Sequence, residues 1–177
     1  MAKLNELKIR EAHEGLEAKR FSAKELLDDC YKAVKAKNKD LNAFITLDED
    51  GAYKSAEQVD KKIAKGGKLH VLEGIPAGIK DILNTKGIKT TCASPFLKDF
   101  VPPYDATVIE KLKESGLVMV GKTNLDEFAC GSSSRICLES SPKDSTSQPH
   151  QGCRSPAQVV SGRAVCDRIG TGMVGAI

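Results

Sequence analysis

From position 22 onward the chain alternates polar and apolar residues at helical spacing: Leu26, Leu27, Cys30, Ala33 and Val34 fall on one stripe. Ser22 precedes them, and Glu25 stands three residues further on. That is a capping box, in which each side chain closes an orphan amide of the first turn. The pattern predicts a helix over about 22–37, preceded by a shorter one near 3–15. Residues 41–47 (LNAFITL) are apolar, β-branched and aromatic, and predict a strand. Residues 48–65 predict a helix with Lys and Glu on its wet face, stopped by Gly66 and Gly67.

Residues 72–83 (LEGIPAGIKDIL) set Gly and Pro inside an apolar run. The backbone there must bend or approach something closely, which predicts a loop and then a short buried strand near 77–80. A helix is expected over 104–115, with Val108, Ile109 and Leu112 as its apolar side and Gly116 as its stop. The continuous run 117–120 (LVMV) predicts a strand buried on both faces. Helix, glycine turn and buried strand are the parts of an α/β layer. No internal repeat is visible.

Composition changes the picture at one place. The chain of 177 residues carries 27 basic and 24 acidic residues, too balanced to argue for nucleic acid binding by charge. No apolar run reaches the roughly 20 residues of a membrane helix, and no signal-peptide pattern opens the chain, so a cytoplasmic protein without membrane contact is expected. The six cysteines form no CxxC pair, which argues against a zinc site or a disulfide framework; no metal is expected. All eight aromatic residues, however, lie at or before Phe128, and 20 of the lysines lie before residue 135, against one after it. Three cysteines and six serines fall in the last 43 residues. The expected organisation is therefore a globular part, 1–134, and a different segment, 135–177. A Ser/Pro-rich linker is the ordinary explanation of such a break, but linkers seldom carry three cysteines.

Among residues able to do chemistry, Lys80 stands out because it follows Ile79 on a segment expected to be buried. Burial disfavours an ammonium, and a lysine brought toward neutrality can act as a general base. Asp81 is its nearest expected counter-charge. Gly116 and Gly121-Lys122-Thr123 formally match the spacing of a phosphate-binding loop. The four residues between the glycines are Leu-Val-Met-Val, which should form the strand itself and not a loop, so nucleotide binding is rejected. His13, His70 and His150 show no ligand spacing. Asp126 and Glu127 are expected to be surface residues or partners of a helix N-terminus.

Residues 72–94 (LEGIPAGIKDILNTKGIKTTCAS) and 102–133 (PPYDATVIEKLKESGLVMVGKTNLDEFACGSS), with 41–47 and the helical lead-in, resemble the amidase signature family. Within it they are most similar to the A subunits of the aspartyl/glutamyl-tRNA amidotransferases. The resemblance implies an amidase-signature fold, a mixed α/β sheet covered by helices, here truncated. It also implies a Ser–cis-Ser–Lys triad in which Lys80 is the base. Gly131 and Ser132 match the substrate-pocket segment. The implied activity is hydrolysis of glutamine. The ammonia would pass to a partner, the B subunit, which together with the C subunit would amidate mischarged tRNA using ATP and magnesium. No cofactor is expected on this chain itself. A stand-alone amidase and a non-catalytic interaction domain with a genuine Ser/Pro-rich tail are the alternatives.

The resemblance fails after Ser134, where the family's serine-bearing glycine-rich runs should follow. Gln148–Arg154 can be coded so that a one-base shift reads Asn-Pro-Thr-Arg-Val-Ala-Gly. Ser155–Val160 can be coded so that a two-base shift reads Ser-Ser-Ala-Gly-Gly. A frameshifted or aberrant tail from about residue 135 is therefore expected. Ser155 matches the bridging serine by its spacing from Lys80 alone, and the nucleophilic serine is expected to be absent. The chain is accordingly expected to be catalytically incomplete and to expose apolar surface.

Overall fold

The structure is a computed structural model, and it describes residues 4–130. Gly131, Ser132, Ser155 and the whole 135–177 segment lie outside the described residues. Four helices and three strands are formed among the described residues: α1 (Ile9–Glu17), α2 (Ala23–Leu41), β1 (Phe44–Leu47), α3 (Glu49–Ala64), β2 (Pro76–Lys80), α4 (Thr107–Glu114) and β3 (Val118–Thr123). The sheet order is β1-β3-β2, with β1 antiparallel and β2 parallel to β3. The sheet is therefore mixed, and helices α2 and α3 pack on each other and against it. Leu16, Leu27, Tyr31, Val34, Ala56, Ile75, Val118 and Val120 lie in one buried cluster. Each large apolar side chain of this kind contributes about 1.5–3 kcal/mol by leaving water.

The expected capping box opens α2: the Ser22 hydroxyl accepts from the Glu25 amide, and the Glu25 carboxylate accepts from the Ser22 amide. The helix runs four residues past the expected end at 37. Asn38 explains the extension, because its side chain donates to the Phe44 carbonyl and accepts from the Phe44 amide. The last turn of α2 is thus tied to the first residue of β1. Asn42 turns the chain in the left-handed region, φ 50°, so β1 begins at Phe44 and not at Leu41. The expected first helix is split into a 3₁₀ turn, Leu4–Glu6, and α1. The expected 104–115 helix starts only at Thr107. Asp105 is held outside it, its carboxylate accepting from the Lys86 amide and from the Lys113 amine.

Two irregularities shape the sheet. Ile45 is extra in β1 between Phe44 and Thr46, and the β2–β3 register shifts between Ala77 and Gly78, opposite Val120. The Val120 carbonyl accepts from the Tyr31 hydroxyl of α2 at 3.0 Å and from the Asp48 amide at the head of α3, also at 3.0 Å. A single oxygen therefore joins both helices to the central strand.

The approach to β2 is fixed by Glu73. Its carboxylate accepts twice from the Lys62 amine, at 2.9 and 2.8 Å, and once from the His70 amide. Gly116, at φ +75°, packs its Cα against the Glu73 side chain, where a Cβ would collide. Burial alone would raise the Glu73 acid, but Lys62 and the His70 amide outweigh it and hold it below the ordinary value. A carboxyl depressed by folding stabilises the chain above its unfolded pKa, and that contribution is lost as pH falls through the folded value. Glu73→Gln is therefore expected to cost about 1 kcal/mol at neutral pH. The gap between variant and parent should close on acidification from about pH 5 to 3. Urea titrations across that range measure it; a gap independent of pH would exclude this role for the pair.

Large apolar side chains stand in water along the 95–104 segment: Phe96 is 92 % exposed, and Phe100, Val101 and Tyr104 are exposed as well. No described helix is long and apolar enough to cross a membrane.

Candidate active site at the ends of β2 and β3

The parallel strands β2 and β3 end side by side, with Ile79 opposite Lys122 and Lys80 opposite Thr123. Neighbouring residues along a strand point to opposite faces, and residues paired across strands share one. Gly78, Lys80 and Thr123 therefore lie on one face; Ile79 and Lys122 lie on the other. The close approach of Gly78 to the Thr123 and Phe44 side chains agrees with this phase.

The two lysines differ sharply. Lys80 is half-buried, and its side chain has no hydrogen-bond or ion-pair partner among the described residues. It is not the enclosed lysine that its apolar neighbours suggested. That residue is Lys122, whose side chain is 0 % exposed. The Lys122 amine donates to the Leu83 carbonyl (2.5 Å), the Thr85 hydroxyl (3.1 Å) and the Thr90 hydroxyl (3.0 Å). Asp81 turns to this same side, with Oδ1 3.7 Å from the Lys122 amine. Asp81 is thus the counter-charge of Lys122 and not of Lys80, because one residue along a strand reverses the direction of the side chain. Its Oδ2 accepts from the Thr91 amide (2.9 Å) and the Thr91 hydroxyl (2.5 Å). Burial pushes the Asp81 acid up, against the hydrogen bonds of Thr91 and the attraction of Lys122. Burial likewise pulls Lys122 down to about 8, with Asp81 opposing.

The excluded phosphate loop is explained by the same geometry. Gly121, Lys122 and Thr123 are inside β3, and the amine that such a loop would offer to a phosphate is consumed by the 83–90 segment.

Beyond Lys80 the chain forms a tight turn in which Cys92 and Ala93 both adopt φ 52°. The Cys92 carbonyl accepts from the Phe128 amide, and the buried Ser94 hydroxyl donates to the Glu127 carboxylate at 2.6 Å. The segment after β3 is therefore stitched to the segment after β2. Ile45, Ala93 and Leu125 form a small apolar cluster at this seam. Asp126 is only 2 % exposed and stands at the head of the 3₁₀ turn Glu127–Ala129, so of its two expected places, surface or helix N-terminus, the first is corrected. Among the described residues neither of its carboxylate oxygens has a hydrogen-bond partner. The Thr123 hydroxyl, on the Lys80 face, is buried and also without a partner among the described residues. Sequence reasoning weighed Lys122 only as a phosphate-loop lysine, and passed over Thr85 and Thr90. The signal available was the period of two that sets Ile79 and Asp81 on the face opposite Lys80; Lys122 joins that face through the β2–β3 register. Among the described residues, this end of the sheet thus holds an amine without a counter-charge on one face, and on the other a buried network in which Lys122 has three acceptors and Asp81 Oδ1 accepts no hydrogen bond.

Comparison with known proteins agrees with this reading of the fold. The Amidase family model matches residues 25–156. The chain is 44% identical over 162 residues to an A subunit of glutamyl-tRNA(Gln) amidotransferase from Clostridium acetobutylicum, covering 90% of this chain and 34% of the relative. It is 47% identical over 156 residues to the A subunit of the same enzyme from a Picosynechococcus species, covering 88% of this chain and 31% of the relative. The chain thus spans about a third of the length of the curated relatives it matches. Among solved structures it is similar to the A subunit of glutamyl-tRNA(Gln) amidotransferase from Thermotoga maritima, with 31% identity and a TM-score of 0.68 over 89% of this chain and 32% of that one. It is also similar to the native peptide amidase from Stenotrophomonas maltophilia, with 26% identity and a TM-score of 0.76 over 88% of this chain and 34% of that one. The mixed sheet, its flanking helices and the family match agree, and the chain belongs to the amidase family, of whose signature fold it carries a part.

Proposed function

We propose that this chain is part of the glutamine-hydrolysing A subunit of a tRNA-dependent amidotransferase, with Lys80 as its base. The observation that carries the proposal is the Lys80 amine at the end of β2, which has no counter-charge among the described residues because Asp81 faces Lys122. The names of the relatives favour this reading over a stand-alone amidase. In the complete reaction the neutral Lys80 amine takes the proton of a bridging serine. That serine takes the proton of the nucleophilic serine, whose oxygen attacks the side-chain amide carbon of glutamine. The tetrahedral intermediate collapses as ammonia leaves with the relayed proton, and water then releases glutamate from the acyl-serine. Ammonia would pass to the B subunit, which together with the C subunit would use ATP and magnesium to amidate Glu-tRNA(Gln) or Asp-tRNA(Asn).

The substrate segment would begin at Gly131 and Ser132. Ser155 holds the place of the bridging serine by spacing only. The 135–177 segment is proposed to be an out-of-frame reading, which the nucleotide sequence across codons 130–177 tests directly. Codons incompatible with the shifted readings would refute it.

Activity is tested with two proteins. The 177-residue chain is expected to release no ammonia from glutamine above background. A chimera of residues 1–130 followed by the corresponding remainder of the Clostridium relative is expected to be an active glutaminase. Lys80→Ala in the chimera should lower kcat at least ~10³-fold, as removal of a general base from an activated-nucleophile system does. Turnover by the 177-residue chain, or a chimera indifferent to Lys80→Ala, would overturn the assignment.

A further inference from the structure

A base of this kind works only if its amine is held where the serine hydroxyl will be, and orientation alone accounts for a large share of such catalysis. Nothing among the described residues grips the Lys80 side chain, so its direction is set by its backbone. We propose that Lys122 is the positioning residue for Lys80, acting from the opposite face of the sheet through Asp81 and the 83–92 segment. The inference rests on the reading of Lys80 as the base.

Every polar backbone group of Asp81, the residue after Lys80, is committed. The Asp81 amide donates to the Thr123 carbonyl at 3.1 Å, and the Asp81 carbonyl accepts from the Cys92 amide at 3.0 Å. Its carboxylate holds Thr91 by two hydrogen bonds. The Lys122 amine then closes the arrangement, binding Leu83 and Thr85 on the outgoing limb of the loop and Thr90 on the returning limb, with Asp81 alongside. Three ammonium hydrogens meet three oxygen acceptors. Both limbs of the loop that begins at Lys80 are therefore pinned to one amine, itself rooted in the strand that pairs with Lys80.

A buried ion pair is weak support for stability, since apolar replacements often serve as well. Its value here lies in geometry. Among the described residues, Asp81 Oδ1 accepts no hydrogen bond and faces the amine only as an ion-pair partner at 3.7 Å. The three bonds of Lys122 and the two of Asp81 Oδ2 nevertheless each fix a named point of the loop, where an apolar filling would admit several arrangements. Lys122 does not reach the Lys80 face and would touch no substrate; its effect is on where the neighbouring strand ends.

The test uses the 177-residue chain and needs no turnover. Thr90→Val removes one acceptor at nearly constant volume, and Lys122→Met removes the amine. Trace acetylation with acetic anhydride, read by peptide mass spectrometry, gives the rate at Lys80 relative to the exposed Lys54. Amide exchange is followed at Asp81, Thr91 and Cys92, and at Leu27 and Val34 in α2 as controls. Thr90→Val is expected to change the Lys80 to Lys54 ratio at least about three-fold. It should speed exchange at Asp81, Thr91 and Cys92 at least about ten-fold and leave the α2 amides unchanged. Lys122→Met should move both readings further in the same direction. A folded variant that melts earlier but keeps the parental Lys80 to Lys54 ratio would make Lys122 merely structural and overturn the proposal. If Lys122→Met does not fold, Thr90→Val decides alone. Failure of the chimera to depend on Lys80 would remove the catalytic meaning of the coupling without altering these rates, so the two propositions fail separately.

Discussion

Lys122→Ala is expected to lower the free energy of unfolding by about 3–5 kcal/mol, a large fraction of what holds a domain of this size together. The cost comes chiefly from what is left behind. Asp81 is 0 % exposed, and without Lys122 its carboxylate would face no cation. The hydroxyls of Thr85 and Thr90 and the Leu83 carbonyl would lose their donor at the same time. Removing both charges, as in the Asp81→Asn, Lys122→Met double variant, should cost clearly less than Lys122→Ala alone, because no unpaired ion is stranded. The pH dependence has a definite sign. Burial holds Lys122 at about 8 in the folded chain, against attraction by Asp81, Cys92 and Asp105, and the ordinary value is 10.5. Between those values the unfolded chain binds more protons than the folded one, so this group's contribution to stability rises with pH. The penalty is present in full below about 8 and is relieved toward 10.5. Asp81, raised by burial, is relieved in the opposite direction, as acid protonates it in the folded chain first. Urea unfolding of parent and double variant from about pH 7 to 10.5 should show the parent gaining on the variant above about pH 8. Curves that stay parallel would mean that Lys122 is not the buried titrating amine.

Gly121→Ala is expected to be nearly as damaging, at about 3 kcal/mol or more, the upper end of what overpacking costs. An added Cβ would strike the Thr46 carbonyl oxygen and lie 3.0 Å from the Leu47 Cα. Both obstacles are backbone of the paired strand β1, so relief requires β1 to move off β3. Gly78→Ala offers an instructive contrast. There the new methyl meets side-chain atoms, Thr123 Cγ2 at 2.7 Å and Phe44 Cε1 at 3.1 Å, and these can shift. A loss of about 1–2 kcal/mol is expected, with the order Gly121 worse than Gly78 as the measurable outcome in denaturant titrations. Equal losses would show that the β1–β3 spacing is more compliant than its register implies.

The parts of the fold that were readable from sequence are those governed by local rules. Ser22 and Glu25 announce the start of α2, Gly66 and Gly116 announce two stops, and the apolar run before Gly121 announces β3. What could not be read depends on tertiary partners. The end of α2 was hidden because residues 35–39 carry three lysines and no apolar stripe; the helix persists there because Asn38 holds Phe44. The start of α4 was displaced because Asp105 is engaged by Lys86 and Lys113. At the site, the order Lys80-Asp81 suggested a pair, yet strand alternation sends the two side chains apart. Lys122 was hidden for a different reason. A lysine in sequence looks like surface, and only the three oxygens gathered from Leu83, Thr85 and Thr90 make its burial tolerable. Lys80 itself was found by the motif around it, not by any property of its own.

The Tyr31 hydroxyl commits its hydrogen to the Val120 carbonyl, and its ring lies 5.8 Å from that of Tyr53. Burial, with Asp48 nearby, drives this phenol well above the ordinary range for ionisation. The chain contains no tryptophan. Ultraviolet absorbance and fluorescence of the molecule thus come mainly from three tyrosines. One of them is wedged where the helical layer meets the sheet, so an alkaline spectrophotometric titration doubles as a gauge of whether that layer is still seated.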